Sequence, residues 1–277
     1  MKIKFLLLLS VCINVGYAQT TTIDNPLSLP KNTVMKGKLY LYWGWNRGYY
    51  TNSDIQFKGE NYNFTLKNVV AEDRPTKFDP AIYFNPLEIT IPQFNFRIGY
   101  FFSNHWDISI GTDHMKYVVR KGQSVKISGK IMANTTFDGN YNNNNIVLSD
   151  DFLLFEHTDG LNYVNSEIRR FDQIFVFGKM KINLTEGLGL GFLYPKTNTT
   201  LLGKKRYDDF NFSGYGLSST LGLNFLFFDR FFIQSELKGG YINMPNIRTT
   251  NSTKDRASQD FFYGQFNIVF GGLINLN

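Results

Sequence analysis

The feature that most constrains this chain is a two-residue alternation held over stretches of about ten residues. Successive side chains of a strand point to opposite faces of the sheet. Between Ser213 and Phe227, one parity carries Tyr215, Leu217, Leu221, Leu223, Phe225 and Phe227, with Ser219 as its only polar member. The other parity carries Gly214, Gly216, Ser218, Thr220, Gly222 and Asn224. An apolar wall is thus backed by a small, polar lining. The same division recurs over 38–46, 92–102, 106–113, 187–194, 230–241 and 261–276. An eighth stretch, 161–182, is less regular, with Glu167, Arg169, Arg170 and Asp172 preceding the apolar run Ile174 to Phe177. A bulge near Gly178 would restore its phase.

The connections alternate too. Ser103–His105, Asn183–Glu186 and Phe228–Asp229 read as tight turns, whereas 47–90, 120–160, 195–211 and 243–260 are longer and polar. Outer-membrane barrels have an even strand number, short periplasmic turns and longer external loops. The expected fold is therefore all-β, an eight-stranded antiparallel transmembrane β-barrel with two long extracellular loops. A secreted sandwich or lipocalin-like barrel would reverse the faces, and Gly, Ser and Gln would make a thin solvent surface. Phe 27, Tyr 16 and Gly 24 suit the membrane reading. Trp43, Trp45, Tyr49 and Tyr50 are expected at one rim, and Trp106, Phe228 and Phe231 at the other. Within the long connections, 53–70 reads as an extra hairpin, Ser124–Ser128 as strand-like, and Asn142–Asn145 as an Asn-rich tip.

Lys2 and Lys4, the run Phe5–Leu9 and the small residues before Gln19 read as a secretory signal ending at Ala18. The expected organisation is a signal peptide over 1–18, a periplasmic segment over 19–37 and the barrel over 38–277. The single cysteine, Cys12, falls in the signal, so the mature chain is expected to hold no disulfide or thiolate metal site. The formal charge of +6 is scattered, unlike the concentrated basic face of a nucleic-acid binder.

Eight-stranded barrels are narrow and filled by their inward side chains. Arg97, Asp107, Asp113, Arg230, Glu236 and Lys238 carry inward parity and are expected to pair as a lumen charge network. His114 and His157, with Asp113 and Asp159, are the candidate catalytic set, since a rim histidine near carboxylates can act as a general base. Hydrogen-bonded rim residues explain the same letters. A calcium site from Asp150, Asp151, Glu156 and Asp159 lacks a recognised loop spacing. Glu186–Gly191 imitates a nucleotide loop, but all its glycines share one strand parity. No metal and no cofactor is expected.

In this pattern of strands and connections the chain resembles the small outer-membrane barrels that include the OmpA membrane domain, OmpX and OmpW. The resemblance covers nearly the whole mature chain and rests on pattern. It implies a role in envelope structure, adhesion or small-solute passage. The expected protein is a non-enzymatic monomer of the bacterial outer membrane with both termini periplasmic. Its expected partners are outer-membrane lipid and lipopolysaccharide, with an extracellular protein or ligand at the loops and no nucleic acid. A lipid-modifying enzyme of the outer leaflet and a narrow channel are the alternatives.

Overall fold

The computed structural model describes residues 33–276, apart from 86, 89 and 208; the expected signal peptide lies outside the described residues. Among them are fifteen strands, numbered β1 to β15 along the chain. Eight form a closed antiparallel ring: β1 (Lys38–Tyr50), β5 (Phe94–Phe101), β6 (Trp106–Val119), β9 (Leu153–Phe177), β10 (Met180–Leu193), β13 (Gly214–Phe227), β14 (Phe231–Arg248) and β15 (Arg256–Asn275). The pairing of β1 with β15, from Lys38↔Asn275 to Tyr50↔Tyr263, closes the ring. Closure leaves no open edge at the level of the ring, so its backbone donors and acceptors are satisfied internally.

One end of the ring carries tight turns and both strand termini. The turn between β9 and β10 lies at Gly178 and Lys179, not at Asn183–Glu186 as the sequence suggests. Gly178 has φ +59, a left-handed conformation that glycine takes without steric cost. The phase break sits elsewhere: Ile182 pairs with Phe175 and Asn183 with Gln173, leaving Ile174 as the bulged residue. Asn183 and Thr185 are buried strand residues.

The other end rises well above the ring. β2 (Ser53–Lys58) adds to the upper part of β15 through Arg256↔Lys58 to Gln259↔Ile55. β3 (Tyr62–Val69), β7 (Ser124–Ile131) and β8 (Gly139–Val147) follow in order, so the sheet continues as β15–β2–β3–β7–β8. The hairpin over 53–70 and the strand at Ser124 follow the sequence pattern, but Asn142–Asn145 lies within β8 rather than at a loop tip. β4 (Ala71–Glu72) pairs with β6, while β11 (Asn198–Leu201) pairs with β9 and with β12 (Lys204–Tyr207).

Two apolar clusters result. Met35, Tyr40, Tyr42, Phe101, Phe171, Leu226, Phe232 and Val269 close the turn end of the lumen. A larger cluster fills the raised end, including Ile55, Phe57, Phe64, Leu66, Met115, Tyr117, Ile127, Phe152, Phe155, Ile242 and Phe261. Tyr50 belongs there rather than to an outer rim: its ring lies 5.1 Å from Tyr117 and 5.7 Å from Phe261, and its hydroxyl donates to Lys116 O at 2.9 Å.

Candidate functional site

Between the two apolar clusters the lumen holds a layer of charge. Inward parity on β5, β6, β9 and β14 puts Arg97, Asp107, Asp113, Glu167, Arg169, Glu236 and Lys238 there, all buried. Glu167 is the hub. Its Oε1 accepts from Arg97 Nη2 and Lys238 Nζ, both at 2.7 Å, and its Oε2 accepts from Arg169 Nε at 2.6 Å. Arg169 Nη1 donates to Glu236 Oε1 at 2.7 Å, and Asn267 Nδ2 donates to Glu236 Oε2 at 3.0 Å. Lys238 also contacts Asp113, whose other oxygen accepts from Asn95 Nδ2 at 2.5 Å. Tyr42 OH receives Arg97 Nε at 3.1 Å and Arg169 Nη2 at 2.9 Å, and Tyr40 OH donates to Asp107 Oδ1 at 2.7 Å.

Five of the six residues expected in this network lie in the lumen. Arg230 does not: it is exposed in the turn between β13 and β14, where its N–H donates to Phe227 O. Glu167 and Arg169 join the network beyond the residues expected from the sequence. Their signal was the odd parity of Asn165, Glu167, Arg169 and Phe171 on β9, with Val164, Ile168 and Arg170 opposite. A cavity of about 20 Å³ at the turn end, lined by Tyr40, Tyr42, Asp107 and Arg169, has room for a water and not for a solute.

Outward parity has the opposite chemistry. Ile98, Ile108, Ile110, Leu188, Leu190, Leu217, Leu221, Leu237, Phe266 and Phe270 are exposed side by side around the ring. A soluble protein rarely exposes a contiguous apolar patch of more than a few hundred Å². Above the belt the same strands reverse. On β6 the inward set changes from Asp107, Ser109 and Asp113 to Met115 and Tyr117, while the outward set changes from Ile108 and Ile110 to Lys116. On β14 the inward set changes from Gln234, Glu236 and Lys238 to Ile242 and Met244. A wall that is apolar outside at one height and apolar inside at the next is facing lipid below and water above.

The fold is that of a small outer-membrane β-barrel. Ring, belt and filled lumen carry that assignment without any sequence relative. No family model and no curated protein matches this barrel's sequence. Among solved structures it aligns with the outer membrane protein OprG from Pseudomonas aeruginosa at 10% identity and TM-score 0.43, over 87% of this chain and 97% of that one. It aligns with Ail, the attachment invasion locus protein of Yersinia pestis, solved with the heparin analogue sucrose octasulfate, at 11% identity and TM-score 0.34, over 87% and 100%. Neisserial surface protein A aligns at 9% identity and TM-score 0.35, over 86% and 99%.

The barrel divides the candidate catalytic residues between two faces, with Asp113 and His157 inward and His114 and Asp159 outward. Asp113 points into the lumen. His114 lies on the outer face, stacked on Phe94 at 4.9 Å, with Nδ1 2.8 Å from Asn162 Oδ1. His157 faces inward in the raised core, its ring 5.2 Å from Phe155 and 5.7 Å from Tyr117, with Nδ1 3.0 Å from Thr197 Oγ1. Burial pushes its pKa down to about 3. Asp159 lies 3.5 Å from Lys196. Asp113 and His157 face inward from different heights of the wall. The carboxylates weighed for calcium are likewise dispersed, Asp150 pairing with Lys121 and Glu156 with Arg74.

The accessible part of the barrel is its raised sheet. The inner faces of β2, β3 and β7 bury Ile55, Phe57, Phe64, Leu66, Val125 and Ile127. Their outer faces carry Asp54, Gln56, Lys58, Asn63, Lys67, Lys126 and Lys130. β8 ends the sheet and pairs only with β7. Asn142 to Asn145 are exposed, and the strand carries neither a charge nor a proline. Natural edge strands are usually blunted by lysine, proline or a bulge. Only a bulge is present here, opposite Ser128, with Asn143 at φ +60.

Proposed function

We propose that this outer-membrane barrel is a non-enzymatic surface protein. The turn end and both strand termini face the periplasm, and the raised sheet stands outside the cell and binds an extracellular partner by strand addition at β8. The observation that carries this reading is the open, uncharged edge of β8 at the end of a sheet with its own buried core. Strand addition takes its affinity from main-chain hydrogen bonds and its specificity from alternate side chains. Exposed asparagines supply further donors and acceptors along that edge. The filled lumen favours this reading over a channel, and the dispersed histidines favour it over lipid editing.

Cells displaying the protein, cells without it and cells displaying N142K/N144K test the proposal against a panel of immobilised extracellular proteins. Both substitutions fall at exposed positions, and lysine on an edge opposes pairing. Binding by wild-type cells and its loss in the variant, at equal amounts of folded barrel on heat-modifiable gels, is the expected result. Equal binding by both, or no difference between cells with and without the protein, would overturn it.

A further inference from the structure

We propose that Arg47 and Lys116, on the outer face just above the apolar belt, bind the phosphate of an outer-leaflet lipid headgroup. The pairs Trp45↔Phe94 and Phe94↔His114 set these residues at one height on β1, β5 and β6. Arg47 and Lys116 each lie two residues further up on the same outward parity, flanking the segment that leads into β5. They mark where the outer surface turns from apolar to polar.

Among the described residues neither cation has a carboxylate within ion-pair distance. Lys116 Nζ donates to Thr76 Oγ1 and to Ile91 O, both at 3.1 Å. The bond from Arg47 Nη1 goes to Asn46 O at 3.4 Å. The nearby carboxylate of Asp73 is already engaged, accepting from Gly48 N at 3.0 Å and Gln93 Nε2 at 2.6 Å. Arg74 is paired with Glu156, while exposed Lys77 follows Thr76 directly. Burial disfavours the charge on Lys116, Asp73 and Asp159 favour it, and Arg74 and Arg47 oppose it.

Beneath the cations lies an apolar apron. Trp45 packs against Tyr83 at 5.6 Å, Phe84 at 5.8 Å and Phe270 at 5.6 Å, and Phe78 lies 5.2 Å from Tyr83. Phe78, Phe84, Leu87 and Ile91 remain exposed. Asp79 caps the helical turn Pro80–Tyr83 by accepting from Ala81 N at 2.9 Å, which holds this apron against β1. Aromatic and aliphatic groups below and unpaired cations above match an amphiphile with acyl chains in the belt and an anionic head at its rim. A free phosphate ion would have no use for the apron.

The inference rests on the membrane placement proposed above and is independent of strand addition at β8. Purified full-length barrel in detergent is mixed with diphosphoryl lipid A or with its monophosphoryl form, and retained lipid is counted by native mass spectrometry. Wild type is expected to prefer the diphosphoryl form. R47A/K116A is expected to lose that preference by roughly thirtyfold, as removal of two rim charges predicts. R47K/K116R should restore it, and K126A/K130A on the raised sheet should leave it unchanged. Equal retention by wild type and R47A/K116A, with both folded on heat-modifiable gels, would overturn the site alone. Displacement of the lipid by millimolar inorganic phosphate would point to a free-anion site and overturn it as well. If wild type retains neither lipid, the inference falls, while the orientation proposed above stands or falls on cysteine labelling alone.

Discussion

Lys238 on β14 reaches across the lumen to Glu167 on β9, with Nζ and Oε1 2.7 Å apart and both side chains buried. The two strands are separated in the ring by β10 and β13, so this contact ties opposite walls together. Glu167 also holds Arg97 and Arg169. Removing its charge leaves three buried cations short of a counter-ion, and breaking such a buried set costs about 3–5 kcal/mol. Glu167→Gln should lower unfolding stability in detergent by that order, measured by denaturant titration. Exposed Glu60→Gln, which disturbs only the surface pair with Lys254, should change it by less than about 1 kcal/mol. Similar values for the two variants would show that the network does not organise the lumen.

Leu190 lies in the middle of the apolar belt, paired with Leu217 and Ser166 and pointing outward. An arginine near the bilayer midplane on the lipid face costs about 2–4 kcal/mol. Leu190→Arg should show that loss in lipid vesicles. Asn142→Arg on the raised sheet should be neutral in the same assay. A tolerated Leu190→Arg would mean that the belt does not face acyl chains.

Much of this architecture is legible in the sequence because lipid and lumen impose opposite demands on alternate residues. Leu217 and Ser218 reveal their faces unaided. The turn at Gly178 was not legible for the same reason. Asn183 and Thr185 look like turn residues, yet their polarity serves the lumen, where Asn183 Nδ2 donates to Asn224 Oδ1 at 3.0 Å. A polar lining imitates the composition of a turn wherever it nears the end of a strand. Above the belt the code reverses, so β8, with its run of asparagines, carries no apolar alternation to mark it. Its pairing with β7 is a tertiary outcome. The cations at the rim were missed because Arg47 and Lys116 have meaning only once β1, β5 and β6 lie side by side.

The sole cysteine, Cys12, lies in the expected signal peptide, so single cysteines can report topology. Lys179 is exposed in the turn between β9 and β10, and Asn143 is exposed on β8. A membrane-impermeant maleimide added to intact cells should label N143C and spare K179C, which should react only after the outer membrane is opened. Labelling of K179C on intact cells would invert the orientation.

His157 gives the raised core a pH dependence with a definite sign. Its side chain is fully buried, Nδ1 meets Thr197 Oγ1, and Nε2 has no hydrogen-bond partner among the described residues. Burial holds the folded-state pKa at about 3, against about 6.5 for an unfolded chain. Above the unfolded value both states are neutral and this histidine adds no pH dependence. As pH falls below it, the unfolded state takes up a proton that the folded state refuses, so stability falls, and it keeps falling until the folded pKa is reached. Between pH 7 and pH 5 the loss amounts to about 2 kcal/mol. Burial also lowers His114 and raises the Asp73 carboxyl, which add slopes of the same and of opposite sign, so only the difference between wild type and a His157 variant isolates this histidine. His157→Phe, which suits a cavity walled by Phe155 and Tyr117, should flatten the profile over that window while keeping the barrel intact. Denaturant titrations of the raised core, followed by protease protection of the 120–152 segment, would measure the slope in both proteins. An identical slope in wild type and variant would assign it to another group.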